Sequence, residues 1–331
     1  MLKIFRAAML RWMDSDHNHS EAEPDYTNTT RKVDWVRCLP FLLFHLTIFA
    51  PIWVGVSPIA IAVAVAFYFV RMFAITGVYH RYFSHTAYKT SRWFQFCLAL
   101  LGASAVQRGP LWWAAHHRHH HLYSDTTHDL HSPRQHGFWW SHIGWIMSKQ
   151  NFHTNYKRIP DFAKYPELMF LNRFDWFVPV LTGVSMFYFG RILDHFAPSL
   201  GTGALQMLFW GFFISTIFLF HGTFTINSLS HLIGRVRFPT GDDSKNSWFL
   251  AIITLGEGWH NNHHYYQAAA RQGFYWWEYD VTYYILKALS SVGLIWDLRS
   301  VPPRILENAL DKEAAQAILE KSAEPKVAQL L

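Results

Sequence analysis

Clustered histidines are the residues of this chain whose type and spacing point most directly to chemistry. Among its 21 histidines, the segments HRYFSH, HRHHH and HNNHH supply eight candidate ligands: His80, His85, His117, His120, His121, His260, His263 and His264. Histidines three and four residues apart on a helix project from one face, so HRHHH and HNNHH should each direct three ring nitrogens the same way. One metal ion takes about four to six ligands, so eight imidazoles predict two ions. His231, one helical turn after Asn227, is a ninth candidate. Neutral imidazole binds iron, copper, nickel and zinc, so ligand type alone does not choose the metal.

The other histidines are expected to play lesser parts. His119 lies two residues from His117 and should point elsewhere on a helix. His45 and His221 fall inside apolar stretches as expected buried hydrogen-bonding groups, and His221 can also line a cavity. Five more are expected to surround the site or to lie at the surface: His116, His128, His131, His136 and His142. A surface helix is the simpler explanation of one HxxHH match alone, but several clusters together favour a metal centre.

The elements that must position these histidines are apolar helices. Of the 331 residues, 51% are hydrophobic, 18% aromatic and only 16% charged, a low charge for a soluble domain. The third of four long apolar stretches is the weakest, because Asp175 and Arg191 bound a short run. Residues 95–107 are too few to span and should form an interfacial or buried helix. The four stretches, each near the roughly 20 residues that cross a bilayer, are about 38–56, 58–78, 176–192 and 204–226. The expected fold is all-α: a four-helix transmembrane bundle with a helical cap that carries the histidines.

Lysine and arginine predict the orientation of this bundle. Of 29 such residues only Arg191 falls in the two short loops on the far side, residues 55–58 and about 191–203. By the positive-inside rule, both termini and every histidine cluster should be cytoplasmic. The formal net charge of +6 fits a face against anionic lipid headgroups, or one that accepts an acidic carrier or redox partner. Nucleic-acid binding is the alternative for a basic chain, and the lack of a polar basic domain argues against it.

The two ends of the sequence are expected to be accessory to the membrane domain. KIFRAAMLRWM resembles a short amphipathic interfacial helix, and the polar tail after it holds His17 and His19, which are more simply surface groups than ligands. The first residues lack the apolar core of a signal peptide. Near the other end, strong helix formers predict a helical cap that Pro325 ends. The expected division is an interfacial helix and tail over 1–33, a membrane domain over 34–300 and the cap over 301–331.

Four motifs between Thr76 and Trp296 occur in a definite order: GVYHRYFSH, HHRHHHLYSDTTHDLHSP, NSLSH and GEGWHNNHH. Their order and spacing resemble the integral-membrane fatty acyl desaturases, the family that contains stearoyl-CoA desaturase. The resemblance implies a di-iron centre whose histidine-rich site lies on the cytoplasmic cap, with Asn227 holding a water beside one iron. It implies nine histidine ligands: His80, His85, His117, His120, His121, His231, His260, His263 and His264.

Three acidic residues fall within the same motifs. Asp125, Asp129 and Glu257 are candidates for orienting the ligating imidazoles from behind, because metal-bound histidines usually donate their other N–H to such a group. Their alternative role is that of solvated loop carboxylates.

The resemblance also implies the reaction. A methylene in the middle of an acyl chain is neither acidic nor polar, so it needs a strong oxidant, which iron with dioxygen supplies and redox-silent zinc does not. The expected product carries a cis double bond, at the ninth carbon of a saturated chain of 16 to 18 carbons. Ala115 and His116 stand where animal acyl-CoA members carry Arg and Asp, which leaves coenzyme A, another acyl carrier and a glycerolipid open as the headgroup. No HPGG-type haem signature follows, so a separate ferredoxin or cytochrome b5 should supply electrons.

Two other functions compete with this interpretation. The nearest is a membrane hydroxylase that acts on fatty acids or alkanes with a similar di-iron centre, and NSLSH with GEGWHNNHH favours the desaturase. A non-catalytic metal transporter or haem-binding membrane protein is the alternative from another class. Transport sites usually lie at mid-depth in the bilayer, whereas these clusters fall at the ends of the spans.

Overall fold

The computed structural model of the chain describes residues 9–17 and 31–323, and helices dominate that part of it. Two short strands, Lys89–Thr90 and Ile295–Trp296, pair antiparallel with Lys89 opposite Trp296. The helices and helical turns are Trp35–Leu46, Thr47–Phe49, Pro51–Val54, Pro58–Phe73, Ala74–Ser84, Arg92–Ala103, Pro110–Tyr123, Pro133–His136, Phe138–His142, Gly144–Met147, Lys149–Phe152, Tyr156–Arg158, Pro160–Ala163, Pro166–Arg173, Phe177–Phe196, Pro198–Leu200, Ala204–Gln206, Met207–Ile214, Ser215–Ser228, Leu229–His231, Trp248–Ile253, His260–Tyr265, Val281–Ser291, Pro303–Leu306 and Lys312–Ala323. The all-α fold class is confirmed, with the small strand pair as an addition.

Within the described residues, four continuous helical stretches are long and apolar enough to cross a membrane. We call them the first to fourth spans: Trp35–Val54, Pro58–Ser84, Phe177–Phe196 and Ala204–His231. The third span reaches 20 residues, longer than its short apolar run predicts. Capping fixes where the first two begin, since the Asp34 carboxylate accepts from the Arg37 N–H at 3.1 Å and Ser57 precedes a proline at the first helical position.

The second span changes its winding where it reaches the histidines. From Ala74 to Ser84 it is a π-helix, in which each N–H bonds the carbonyl five residues before it. The same pattern ends the element, because the His85 N–H donates to the His80 carbonyl at 3.2 Å. Residues five apart therefore share a face here, which brings the two histidines of HRYFSH together.

The helix Arg92–Ala103 packs on this part of the second span and confirms the prediction of a buried or interfacial helix. Its contact is close, because a Cβ at Gly102 would overlap the ring of Tyr79. Around them lies a core of buried residues that also draws on the helices Pro110–Tyr123 and Pro166–Arg173. This core holds the HRHHH helix against the end of the second span.

The predicted accessory segments are described only in part. Residues 9–13 are helical, as the amphipathic pattern predicts, while residues 3–8, His19 and Pro325 lie outside the described residues. The helical cap consists of Pro303–Leu306, which packs on a cluster around Phe238, and Lys312–Ala323. The division of the chain at residues 33 and 300 stays a prediction.

Candidate metal centre

Two groups of histidine nitrogens form at the ends of the second and fourth spans. In each group, one ring nitrogen from every member lies within 4.8 Å of all the others. The five-histidine group consists of His80, His85, His117, His121 and His263. The four-histidine group consists of His120, His231, His260 and His264. All nine histidines singled out by the sequence are therefore brought together, and their role as ligands stays a prediction.

The two HxxHH segments are each divided between the groups. On the helix Pro110–Tyr123, His117 and His121 face the five-histidine group while His120 faces the four-histidine group. The helix His260–Tyr265 does the reverse, since His263 alone joins the five-histidine group. The expectation from the sequence that each segment directs three nitrogens to the same side is wrong. In each segment the two histidines four residues apart join one group, and the histidine three residues after the first joins the other group.

Spacing within the five-histidine group tests whether it fits a metal. Four contacts between Nε2 atoms measure 2.9 Å, joining His80 to His263, His263 to His121, His121 to His117 and His117 to His85. Two nitrogens bound to one ion at right angles, with bonds of about 2.1 Å, lie about 3.0 Å apart. The nitrogens therefore converge as the ligands of a single ion do.

Carboxylates stand behind four of the histidines. Asp129 lies 3.1 Å from Nδ1 of His120, and Asp125 lies 2.8 Å from Nδ1 of His231. Glu257 contacts Nδ1 of His80 in the same way. A carboxylate at Nδ1 holds the proton there and leaves the Nε2 lone pair for a metal. All three acidic residues therefore lie next to candidate ligands, as predicted, and their orienting role remains a proposal.

A fourth carboxylate of this kind was not found from the sequence. Asp242 lies 2.6 Å from Nδ1 of His264, whose buried Nε2 has no hydrogen-bond partner among the described residues. A buried nitrogen without such a partner is available as a metal ligand. Asp242 belongs to a loop 22 residues before His264, and no local motif links the two.

Burial governs the charge of the clustered imidazoles that lie outside the spans. Loss of hydration, and then the neighbouring imidazoles, hold the pKa well below its ordinary value at five positions: His85, His117, His121, His260 and His263. Burial acts to raise the pKa of Asp129, but His120 and His131 more than offset it and lower that pKa. Neutral imidazoles backed by ionised carboxylates are the protonation states that metal binding requires.

An apolar cavity of about 340 Å³ ends at the histidines. Trp113, His117 and Asn227 line it, and they also line a smaller cavity that lies between the two groups and reaches His80 and His260. At the other end the large cavity is lined by Arg11 and other residues of the described N-terminal segment. An apolar space therefore runs from the N-terminal segment to the histidine groups.

Comparisons with known proteins decide the family. The sequence profile of the fatty acid desaturase family matches residues 56–292. The chain is 35% identical over 276 residues to an sn-1 stearoyl-lipid 9-desaturase of Anabaena variabilis, covering 82% of this chain and 96% of the relative. The chain belongs to the fatty acid desaturase family. It is 33% identical over 293 residues to an sn-2 palmitoyl-lipid 9-desaturase of Nostoc (87% and 97% covered) and 32% identical over 288 residues to an acyl-CoA 5-desaturase of Anemone leveillei (83% and 85% covered).

Membership makes the protein an oxidoreductase that desaturates fatty acyl chains, and its histidine groups fit the metal cofactor that the family implies. In this desaturase Asn227 lines both the large apolar cavity and the smaller cavity between the two histidine groups. Its side chain therefore faces the space in which the sequence predicts a bound water.

Three other histidines of the desaturase lie apart from the two groups or behind them. His119 contacts the backbone carbonyl of His128 at 2.9 Å, as expected of a residue that points elsewhere. His131 stacks on His120 with ring centroids 4.4 Å apart and forms a further candidate cluster with Asp129. His142 lies 3.1 Å from His221, at the edge of the fourth span.

Proposed function

We propose that this desaturase inserts a cis double bond at the ninth carbon of a saturated acyl chain, using dioxygen and two electrons at a pair of iron ions. The observation that carries the proposal is the division of nine histidines into groups of five and four at the inner end of an apolar cavity. Two relatives named as 9-desaturases, each over more than four fifths of this chain, support the position of the double bond.

Iron is favoured over zinc by the donor set. Structural zinc is almost always four-coordinate and tetrahedral, and nitrogens at its corners would lie about 3.4 Å apart. Five nitrogens with neighbours at 2.9 Å suit a higher coordination number. Bound iron would supply the one-electron oxidation that an unactivated C–H bond requires.

The protein's own residues would hold the metals and present the chain. The nine histidines would bind two ions, Asn227 would hold a water, and Asp125, Asp129, Asp242 and Glu257 would keep the imidazoles oriented. The overall reaction converts a –CH2–CH2– unit, O2, two electrons and two protons into a –CH=CH– unit and two waters. Burial at about 0.8 kcal/mol per methylene would position one carbon pair beside His117 and Asn227, because the cavity is apolar.

The distribution of lysine and arginine bears on the orientation of the protein and on where its electron donor docks. The positive-inside rule puts both termini and the histidines in the cytoplasm, where a soluble electron donor such as a ferredoxin or cytochrome b5 is available. His85, His117 and His121 of the five-histidine group are half-buried, whereas all members of the four-histidine group are buried. The donor would therefore dock at the five-histidine side.

The test is expression in a host that lacks its own desaturase, followed by mass spectrometry of double-bond positions in the fatty acids. We expect cis-9 monoenes of 16 or 18 carbons, and none from His263→Ala. Hydroxy acids as the main product would assign the protein to the hydroxylases, and a double bond at another carbon would reject the ninth position alone.

A further inference from the structure

The N-terminal segment, defined as residues 9–17, closes the polar end of the large cavity. The Trp12 indole N–H donates to the Val36 carbonyl at 2.9 Å, at the beginning of the first span. The Trp176 indole N–H, just before the third span, donates to the Met13 carbonyl at 2.8 Å. The segment therefore ties the beginnings of the first and third spans together across the cavity, which Trp12 and Ser15 line.

Charge reinforces this closure. Both oxygens of Asp14 accept from Arg173, at 3.0 and 2.7 Å, and the Ser15 N–H donates to the Arg173 carbonyl at 2.9 Å. Such exposed pairs are individually weak, but here several contacts act on one short segment. A substrate attached to a large soluble carrier would have to displace all of these contacts to reach the cavity from the polar side.

The side of the same cavity is open toward the bilayer. Pro40 of the first span and Val180 of the third span both line the cavity, yet Pro40 is exposed and Val180 is 52% exposed. A residue that lines a cavity and is also exposed on the outer face of a span marks a gap in the wall. The gap lies between the first and third spans, where lipid acyl chains surround the protein.

One cation at the closed end, the guanidinium of Arg37, has no carboxylate partner among the described residues. Arg37, in the first turn of the first span, donates from Nη2 to the Ser15 carbonyl at 3.1 Å and lies 4.5 Å over the Phe152 ring. The Asp34 carboxylate caps the Arg37 backbone N–H at 3.1 Å, but within the described ranges 9–17 and 31–323 no carboxylate oxygen forms an ion pair with the Arg37 guanidinium. Arg108 beside it pairs with Asp175 at 3.1 Å. A guanidinium at the headgroup depth of the bilayer can donate to an ester or phosphate oxygen.

We propose that the acyl chain enters this cavity sideways, between the first and third spans, while it is still esterified to a membrane glycerolipid. Its ester end stays beneath the N-terminal segment beside Arg37, and its methylenes extend to the histidine groups. This inference rests on the proposed desaturase activity and names the form of its substrate. A closed polar end and an open lateral gap together favour a bilayer lipid over a soluble thioester.

The test uses the full chain in proteoliposomes with a competent electron donor. Val180→Trp fills the gap, and Leu181→Trp is the matched control, because Leu181 is 48% exposed on the same helix but does not line the cavity. We expect Val180→Trp to lower desaturation of a saturated diacylglycerolipid at least about tenfold, since obstructed positioning costs turnover, with unchanged iron content. Leu181→Trp should match the wild type.

Saturated acyl-CoA and an acyl carrier protein thioester form the second arm. The wild type should desaturate the glycerolipid well above both, and Asp14→Asn, which loosens the N-terminal segment, should raise the acyl-CoA rate. Equal rates on acyl-CoA and glycerolipid, or a Val180→Trp protein as active on lipid as Leu181→Trp, would overturn the lateral route while leaving the desaturase activity intact. No alkene from any substrate would reject the proposed function itself.

Discussion

At the residue scale, the carboxylates behind the histidines decide how well the imidazoles present their lone pairs. Asp242→Asn keeps the shape of the side chain but removes the charge that fixes the proton on His264 Nδ1. Loss of such a partner typically costs about 10–100-fold in metal affinity or activity, and we expect a loss in that range. Iron content at defined free iron and turnover measure it. Asp297→Asn, at an exposed carboxylate that pairs with Lys89, is the control and should change neither.

Ligands and neighbours within one short segment should separate clearly. His120→Ala removes one of the four nitrogens of the four-histidine group, so we expect no turnover. His119 belongs to neither group and contacts the His128 carbonyl, so His119→Ala should keep much of the activity. Asn227→Ala should lie between them, because only a bound water loses its anchor. Turnover numbers of the three variants at equal protein are the measurement, and near-normal activity in His120→Ala would show that HRHHH has been misinterpreted.

What the sequence can reveal at this scale depends on the distance along the chain. The nine histidines and the three acidic residues stand in compact motifs, so spacing together with the family resemblance makes them candidates. Asp242 reaches its partner His264 through the fold of its loop. Gln272, which contacts Nδ1 of His80 at 3.3 Å, comes from a segment without histidines. Tertiary contacts of this kind leave no periodic signal.

At the element scale, the short helix that carries HNNHH depends on a close backbone approach. A Cβ at Gly258, two residues before His260, would overlap the backbone of Ala251 and Ser247, which cannot move as a side-chain end can. Gly258→Ala should therefore destabilise the protein by about 1–3 kcal/mol or more and displace His260. Thermal melting in detergent and iron content are the readouts. Gly203→Ala, where a Cβ meets nothing within 4 Å, should have a much smaller effect.

The positions of the spans could be predicted from the sequence, but their ends and their winding could not. The apolar stretches at 58–78 and 204–226 identify the second and fourth spans, whose actual ends at Ser84 and His231 carry the histidines beyond the apolar run. The π-helical stretch packs closely on the helix Arg92–Ala103 through Tyr79, and the hydropathy pattern does not predict its winding. The division of each HxxHH segment between two groups follows only once both helices are docked.

At the scale of the whole molecule, the orientation of the bundle is still a prediction from charge. With Cys38 and Cys97 replaced by serine, single cysteines at the exposed positions Thr127 and Ser199 would report opposite faces. We expect a membrane-impermeant maleimide to label Ser199→Cys in intact cells and Thr127→Cys only after the membrane is opened. Labelling of Thr127→Cys in intact cells would place the histidines on the side without cellular electron donors.

The central claim is that the two histidine groups each bind one iron ion, and the iron content of active protein tests it most directly. Zinc competes for such ligands, so protein made under iron-rich conditions should be fractionated by activity before elemental analysis. We predict about two iron atoms per chain in the fully active fraction, one for each group. Full activity with one iron atom per chain, or with none, would contradict the account.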